Sequence, residues 1–302
     1  MKHKETIGHL AAFFTVAIWG TTFISTKILL RDFRPLEILF FRFIMGFLVL
    51  AVANPRRLRS TGFRQEAVFM AAGLCGVCLY YLFENIALTY TMASNVGVIT
   101  SVAPFFTALL AHFLMKSEEK LQLRFLLGFA AAMAGIFLIS FNGAKLSLNP
   151  TGDFLALLAA FIWGCYSILT RKISSFGYPV ILTTRRTFFY GIFFMIPSLF
   201  FLDFKPDLSH FANLSYLFQI LYLGLGASAL CFVTWNFAVK VLGAVKTSVY
   251  IYMVPVITIV TSFLILKEKI TPLSGAGTLL ALSGLIISEY KGKGEKTHGF
   301  TE

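Results

Sequence analysis

The chain has 302 residues, of which 57% are hydrophobic and only 13% charged, and its mean hydropathy is +0.79. A water-soluble domain carries roughly 25% charged residues, so this composition excludes a soluble globule and points to a protein embedded in lipid. The net charge of +12 does not indicate nucleic acid. The Lys and Arg residues sit in short segments between apolar runs, the pattern that orients membrane proteins.

A bilayer span takes about 20 mostly apolar residues. Ten such runs follow in chain order, near 9–29, 36–53, 67–90, 94–115, 122–141, 153–172, 178–202, 213–238, 245–266 and 272–290. The start Lys2-His3-Lys4 resembles a signal peptide. The run behind it is span-length, however, lacks a small-residue cleavage site and recurs at residue 153, so it reads as a retained first helix. Every loop is short, which leaves no room for an inserted soluble domain. Residues 291–302 read as a disordered polar tail. Basic residues, Arg56, Arg57, Arg59 and Arg64 among them, crowd the segments on the side of the N-terminus, and few such as Arg31 and Arg34 lie opposite. The positive-inside rule then predicts both termini in the cytoplasm of a cell (plasma or inner) membrane. Cys75, Cys78, Cys165 and Cys231 all fall within apolar runs and read as small core residues.

The chain repeats itself. Ile18-Trp19-Gly20 with Thr26-Lys27 returns 144 positions later as Ile162-Trp163-Gly164 with Thr170-Arg171, and Pro35 and Arg42 return as Pro179 and Arg186. A shift of 151 carries Asn85 onto Asn236 and Pro104 onto Pro255. A shift of 149 carries Glu119-Lys120 onto Glu268-Lys269, and Gly128 and Gly135 onto Gly277 and Gly284. These twins predict two repeats, residues 1–145 and 146–302, of five helices each. An odd number of spans per repeat inverts one against the other, the architecture of alternating-access transporters. The fold class expected is an all-α integral membrane protein of ten transmembrane helices, two inverted five-helix repeats around a central cavity.

Charges inside a bilayer are costly and mark an interior or a water-filled cavity. Arg42 and Glu84 both fall roughly 10 Å below the outer face, at depths that allow them to pair. Either they form a structural ion pair, or Glu84 is a proton or substrate-cation site tuned by Arg42. The position of Glu84 is occupied by Trp235 in the second half, so the acid has no twin. Arg186 mirrors Arg42 near the inner face, and Arg185 beside it reads as snorkelling to the headgroups. Tyr80, Tyr81, Glu84 and Asn85 share one broad helix face. Asn85 and Asn236 either bond neighbouring helices or line a pathway. Trp19 and Trp163, mid-span and away from the interfacial belts, suit the wall of a π-rich cavity. Tyr166, Trp235 and Tyr250 join the candidate substrate-binding set. Pro104 and Pro255 predict twinned kinks in the fourth and ninth spans, either static or bending points for gating. Gly128, Ala132 and Gly135, repeated as Gly277, Ala281 and Gly284, form small-residue stripes that assign the fifth and tenth spans to packing, against each other.

Taken in register, Trp-Gly in spans 1 and 6, Pro and Arg around spans 2 and 7, the prolines of spans 4 and 9, and Glu119 or Glu268 followed nine residues later by Gly resemble the duplicated EamA domains of the drug/metabolite transporter superfamily. The resemblance implies a central cavity lined by spans 1–4 and 6–9, with spans 5 and 10 outside it. It also implies transport of small metabolites, most often export of amino acids or related compounds. Nucleotide-sugar and other metabolite uniport or exchange is the alternative. Coupling comes from a gradient or from facilitated flow, since there is no phosphate-binding loop for a nucleotide. No H-E-x-x-H or paired acids suggest an enzyme, and a non-transporting sensor or scaffold fits poorly with ten spans and no output domain. The expected partners are a small-molecule substrate and the bilayer, without nucleic acid, cofactor or metal. The chain suffices as a monomer, its duplication supplying both halves, and a dimer is compatible. The excess of Arg42, Arg185 and Arg186 over Glu84 leans towards anionic or zwitterionic cargo.

Overall fold

The computed structural model describes residues 2–58, 61–115, 123–140, 149–201, 204–267 and 271–289. The Glu119-Lys120 and Glu268-Lys269 pairs, the tail 291–302 and loop residues such as Arg59 lie outside the described residues. Among the described residues ten long helical segments follow one another, with a short 3₁₀ turn at Leu208–Ala212 between the seventh and eighth: α1 (Lys2–Leu29), α2 (Pro35–Ala53), α3 (Phe63–Tyr90), α4 (Ala93–Leu114), α5 (Leu123–Ser140), α6 (Pro150–Ser174), α7 (Val180–Phe201), α8 (Leu214–Leu242), α9 (Ala244–Leu266) and α10 (Pro272–Glu289). Seven of them are by themselves long and apolar enough to cross a membrane. The other three are α5, α7 and α10. In α7 the adjacent Arg185 and Arg186 interrupt the apolar run.

Contacts between helices exchange under a shift of five. Helix α1 packs on α8 and α9 as α6 packs on α3 and α4, and α2 meets α8 as α7 meets α3. The pairs α2–α7, α4–α9 and α5–α10 are their own images. This is the contact pattern of a pseudo-twofold. With five helices per repeat, the second repeat starts on the opposite side of the bundle, so the two are inverted.

The stripes of α5 and α10 face each other, as their spacing predicts. A Cβ on Gly135 would lie 2.5 Å from the Gly277 carbonyl oxygen and 2.4 Å from the Ala281 nitrogen. A Cβ on Gly284 would lie 2.4 Å from the Gly128 oxygen and 2.5 Å from the Ala132 nitrogen. Without a hydrophobic force between helices in lipid, such backbone proximity is what gives dispersion its hold.

Four helices depart from regular α geometry, in twinned places. Helix α3 widens into a π turn at Leu74–Leu79 and α8 at Tyr222–Leu230. In α4 the ladder stops at Thr100 and resumes at Ala103, while α9 passes through a 3₁₀ stretch at Val249–Met253 before Val254. Pro104 and Pro255 sit in the first turn of the resumed segments, where a missing N–H costs nothing. Each proline therefore opens a second helix rather than bending a continuous one. The Thr100 and Ser101 hydroxyls donate back to the carbonyls of Val96 and Val98, satisfying groups near the break that lipid cannot.

Candidate functional site

The two tryptophans of the Trp-Gly repeats meet between the repeats. Trp19 and Trp163 stand edge to face with ring centroids 5.1 Å apart. Tyr80 leans on Trp163 at 4.7 Å and Tyr81 stands across Tyr80 at 4.7 Å. Trp235 completes a triangle of indoles, 5.0 Å from Trp19 and 6.1 Å from Trp163, outside the lining of the cavity. Edge-to-face and tilted pairs at these separations suit the ring quadrupoles.

A small cavity opens among them. Helix α1 contributes Trp19 and, one turn on, Thr22 and Phe23; α3 contributes Tyr80, Tyr81 and Glu84; α6 contributes Trp163. The remaining wall comes from the broken helices, Thr100 and Ala103 of α4 and Ile251 and Val254 of α9. Water-sized spheres centre within only about 30 Å³ of this space, room for about one or two waters. A metabolite does not fit this space unless the walls part.

The polar inventory is short and unbalanced. Glu84 is 1% exposed, and its Oε1 has no hydrogen-bond partner. Thr22 spends its hydroxyl on the Trp19 carbonyl at 2.7 Å. Trp19 Nε1 donates to the carbonyl of Ala227 at 3.0 Å, within the π turn of α8, where the wide ladder leaves carbonyls to be satisfied from outside. The twin of that bond would run from Trp163 Nε1 to the π turn of α3. It is not made: Trp163 Nε1 is without a partner. Tyr166 packs against this π turn, its ring 2.2 Å from where a Cβ on Gly76 would stand. In the first repeat the position of Tyr166 is held by the much smaller Thr22.

Arg42 and Glu84 do not form the ion pair that their depths allow. Arg42 is fully buried, and its Nε donates to Ser228 Oγ at 3.0 Å. Its guanidinium lies flat behind the chamber wall, 4.2 Å from the Tyr81 ring centroid and 5.3 Å from that of Phe43. Nη1 and Nη2 have no partner. Equal depth says nothing about azimuth: Arg42 reaches Ser228 of α8 and the Tyr81 ring of α3, but not the Glu84 carboxylate one turn further on.

The rest of the candidate set lies elsewhere. Asn85 Nδ2 donates to the Pro35 carbonyl at 3.0 Å, and Asn236 Nδ2 donates to Thr184 Oγ1 at 2.9 Å while its Oδ1 accepts from the Tyr166 hydroxyl at 3.0 Å. Both amides tie their helix to the second helix of the same repeat, the bonding role. Asn236 also borders a second small cavity with Thr170, Ser174, Thr183 and Lys240. Tyr250 is bonded to His9 Nδ1 at 2.8 Å, away from the chamber.

Arg186 pairs with Glu66 at 2.9 Å, and the hydroxyls of Tyr190 and Thr61 converge on the same carboxylate. Arg185 donates to the carbonyls of Asn54 and Arg56 in the segment after α2. Neither arginine reaches the chamber, so the lean towards anionic cargo loses two of its three supports.

Sequence reasoning passed over Thr22, Thr100 and Ile251, and it missed the role of Lys27. The Lys27 ammonium donates to the carbonyls of Leu88 and Thr91, and its twin Arg171 to that of Lys240. Each cation caps the C-terminal end of the third helix of a repeat. The doubled Thr-Lys and Thr-Arg pairs were the signal.

The family model described as the EamA-like transporter family matches residues 6–141 and 150–290. An uncharacterized transporter of Archaeoglobus fulgidus is 28% identical over 288 residues, covering 94% of this chain and 97% of its own length. A "probable terminal-alkyne amino-acid exporter" of Streptantibioticus cattleyicolor is 24% identical, with 95% of each chain covered. A "probable amino-acid metabolite efflux pump" of Escherichia coli is 25% identical, with 92% and 93% covered. One solved structure superposes with a TM-score of 0.68 at 19% identity, covering 93% of this chain and 96% of the other, a likeness of fold alone. The match is to transporters and not to enzymes, and it runs through both repeats: this chain belongs to the EamA-like transporter family.

Proposed function

We propose that the protein is a secondary transporter that exports small amphipathic metabolites, amino acids or related compounds, by alternating access. The observation that carries this reading is the small chamber at the interface of two inverted repeats, walled by aromatic rings and holding the buried Glu84 carboxylate, one oxygen of which has no hydrogen-bond partner. Two relatives named for amino-acid or amino-acid-metabolite export support the substrate class. The breaks before Pro104 and Pro255 supply flexible joints where α4 and α9 line the chamber, and these are the gating points of the proposal. The membrane is the cell membrane, both termini are cytoplasmic, and a single chain suffices.

The test is flux in proteoliposomes loaded with amino acids and aromatic metabolites under a pH gradient, comparing wild type with Glu84→Gln. The reading expects flux in the wild type and its loss in the variant. Equal flux in both would remove Glu84 from the pathway. Absence of any flux from well-folded wild-type protein would overturn the reading itself.

A further inference from the structure

Two buried atoms of residues that line the chamber, Glu84 Oε1 and Trp163 Nε1, lack hydrogen-bond partners, as do Nε1 of the neighbouring Trp235 and the two terminal nitrogens of Arg42, which stands over the Tyr81 ring. Buried polar atoms left unsatisfied cost about 1–3 kcal/mol each, more for charged groups. Glu84 and Trp163 share one small space, where a single bound group could satisfy both. The repeats differ at this point: the indole of Trp19 donates to the Ala227 carbonyl, while the indole of its twin Trp163 has no acceptor.

We infer that Glu84 and Trp163 read the two ends of one substrate headgroup: the Glu84 carboxylate takes a protonated amine, and Trp163 Nε1 donates to an oxygen acceptor carried beside that amine. The inference rests on the transport reading and narrows its substrate class to amines bearing a nearby oxygen, of which a zwitterionic amino acid is the simplest. An ammonium supplies donors to Glu84 and a favourable charge to the faces of Tyr80 and Trp163. A carboxylate or carbonyl oxygen supplies the acceptor that the indole N–H lacks. The charge inventory agrees. Arg42, one ring away, offsets Glu84, so the neighbourhood is matched by a headgroup with both signs and not by a bare cation or a bare anion. The rings around it suit a flat or apolar side chain.

The test uses the full-length protein in detergent, with binding read by tryptophan fluorescence and calorimetry. The probes are phenylalanine, 2-phenylethylamine, which keeps the amine only, and 3-phenylpropionate, which keeps the acid only. Phenylalanine is expected to bind at least about 10-fold more tightly than phenylethylamine, about 1.4 kcal/mol, and phenylpropionate not to compete. Trp163→Phe, which keeps a ring and removes the N–H, should remove most of the advantage of phenylalanine over phenylethylamine and weaken phenylethylamine only slightly, through the poorer cation–π face. Glu84→Gln should weaken both amines about 10-fold or more; if that variant fails to fold, Trp163→Phe carries the test. Phenylpropionate binding as well as phenylalanine, or Trp163→Phe weakening all three alike, would overturn the assignment. Proteoliposomes that carry metabolites from a cell extract while none of the three probes competes would leave the transport reading standing and sink this one. Proteoliposomes that carry nothing would sink both.

Discussion

Replacing Gly135 by Ala tests the scaffold that holds the two repeats together. An added Cβ would stand 2.4 Å from the Ala281 nitrogen and 2.5 Å from the Gly277 oxygen. Both are backbone atoms of a facing helix, so no side chain can swing aside. Relief to an ordinary contact near 3.4 Å requires α5 and α10 to part locally by roughly 1 Å, and a gap of that size forfeits about a quarter to a half of each affected atom pair's attraction. Overpacking of this kind costs about 1–3 kcal/mol. The twin change, Gly284→Ala, meets the Gly128 oxygen at 2.4 Å and should cost the same. Because either substitution already separates the helices, the double variant should cost less than the sum. Gly275→Ala, on α10 with nothing within 4 Å of the added carbon, is the control. It should be neutral or stabilise by up to about 1 kcal/mol through helix propensity. The assay is reversible unfolding of purified protein in detergent. Gly135→Ala as stable as Gly275→Ala would refute the close approach and the pseudo-twofold built on it.

Other outcomes follow from the same geometry. Lys27→Met strands the carbonyls of Leu88 and Thr91 at the end of α3 and should lower unfolding stability by about 1–3 kcal/mol. Trp19→Phe leaves the Ala227 carbonyl without its donor, whereas Trp163→Phe breaks no bond. Trp19→Phe should therefore unfold at the lower temperature of the two, by the same order of energy. Glu66→Gln weakens a junction that joins Arg186, Tyr190 and Thr61. Its cost in the same assay should fall between the roughly 1 kcal/mol of an exposed pair and the about 3–5 kcal/mol of a buried one, since both partners are partly exposed.

Much of this architecture is legible in the residues. Ten apolar runs give ten helical segments because lipid leaves the backbone no alternative but helix. The Trp-Gly, Asn and Pro twins give the repeat, and the Gly-x-x-x-Ala-x-x-Gly stripes name their own partner. The chamber was half legible. Trp19, Trp163, Tyr80, Tyr81 and Glu84 meet there, but helical spacing alone could not separate Glu84 from Asn85, its neighbour on the same broad face. The deciding feature is the π turn at Leu74–Leu79, which re-aims everything after it and leaves no mark in hydropathy. Arg42 shows the other limit: sequence gives depth along a span, while the partner depends on which way the helix is turned.

The account stands or falls on whether the chamber is reached from both sides of the membrane. Thr22 lines it. With Cys75, Cys78, Cys165 and Cys231 replaced, Thr22→Cys in sealed vesicles can be probed with a membrane-impermeant thiol reagent added outside or trapped within. Labelling from either face, slowed by transported substrate, is the predicted result. Labelling from one face only, in vesicles that still carry flux, would contradict alternating access through this site.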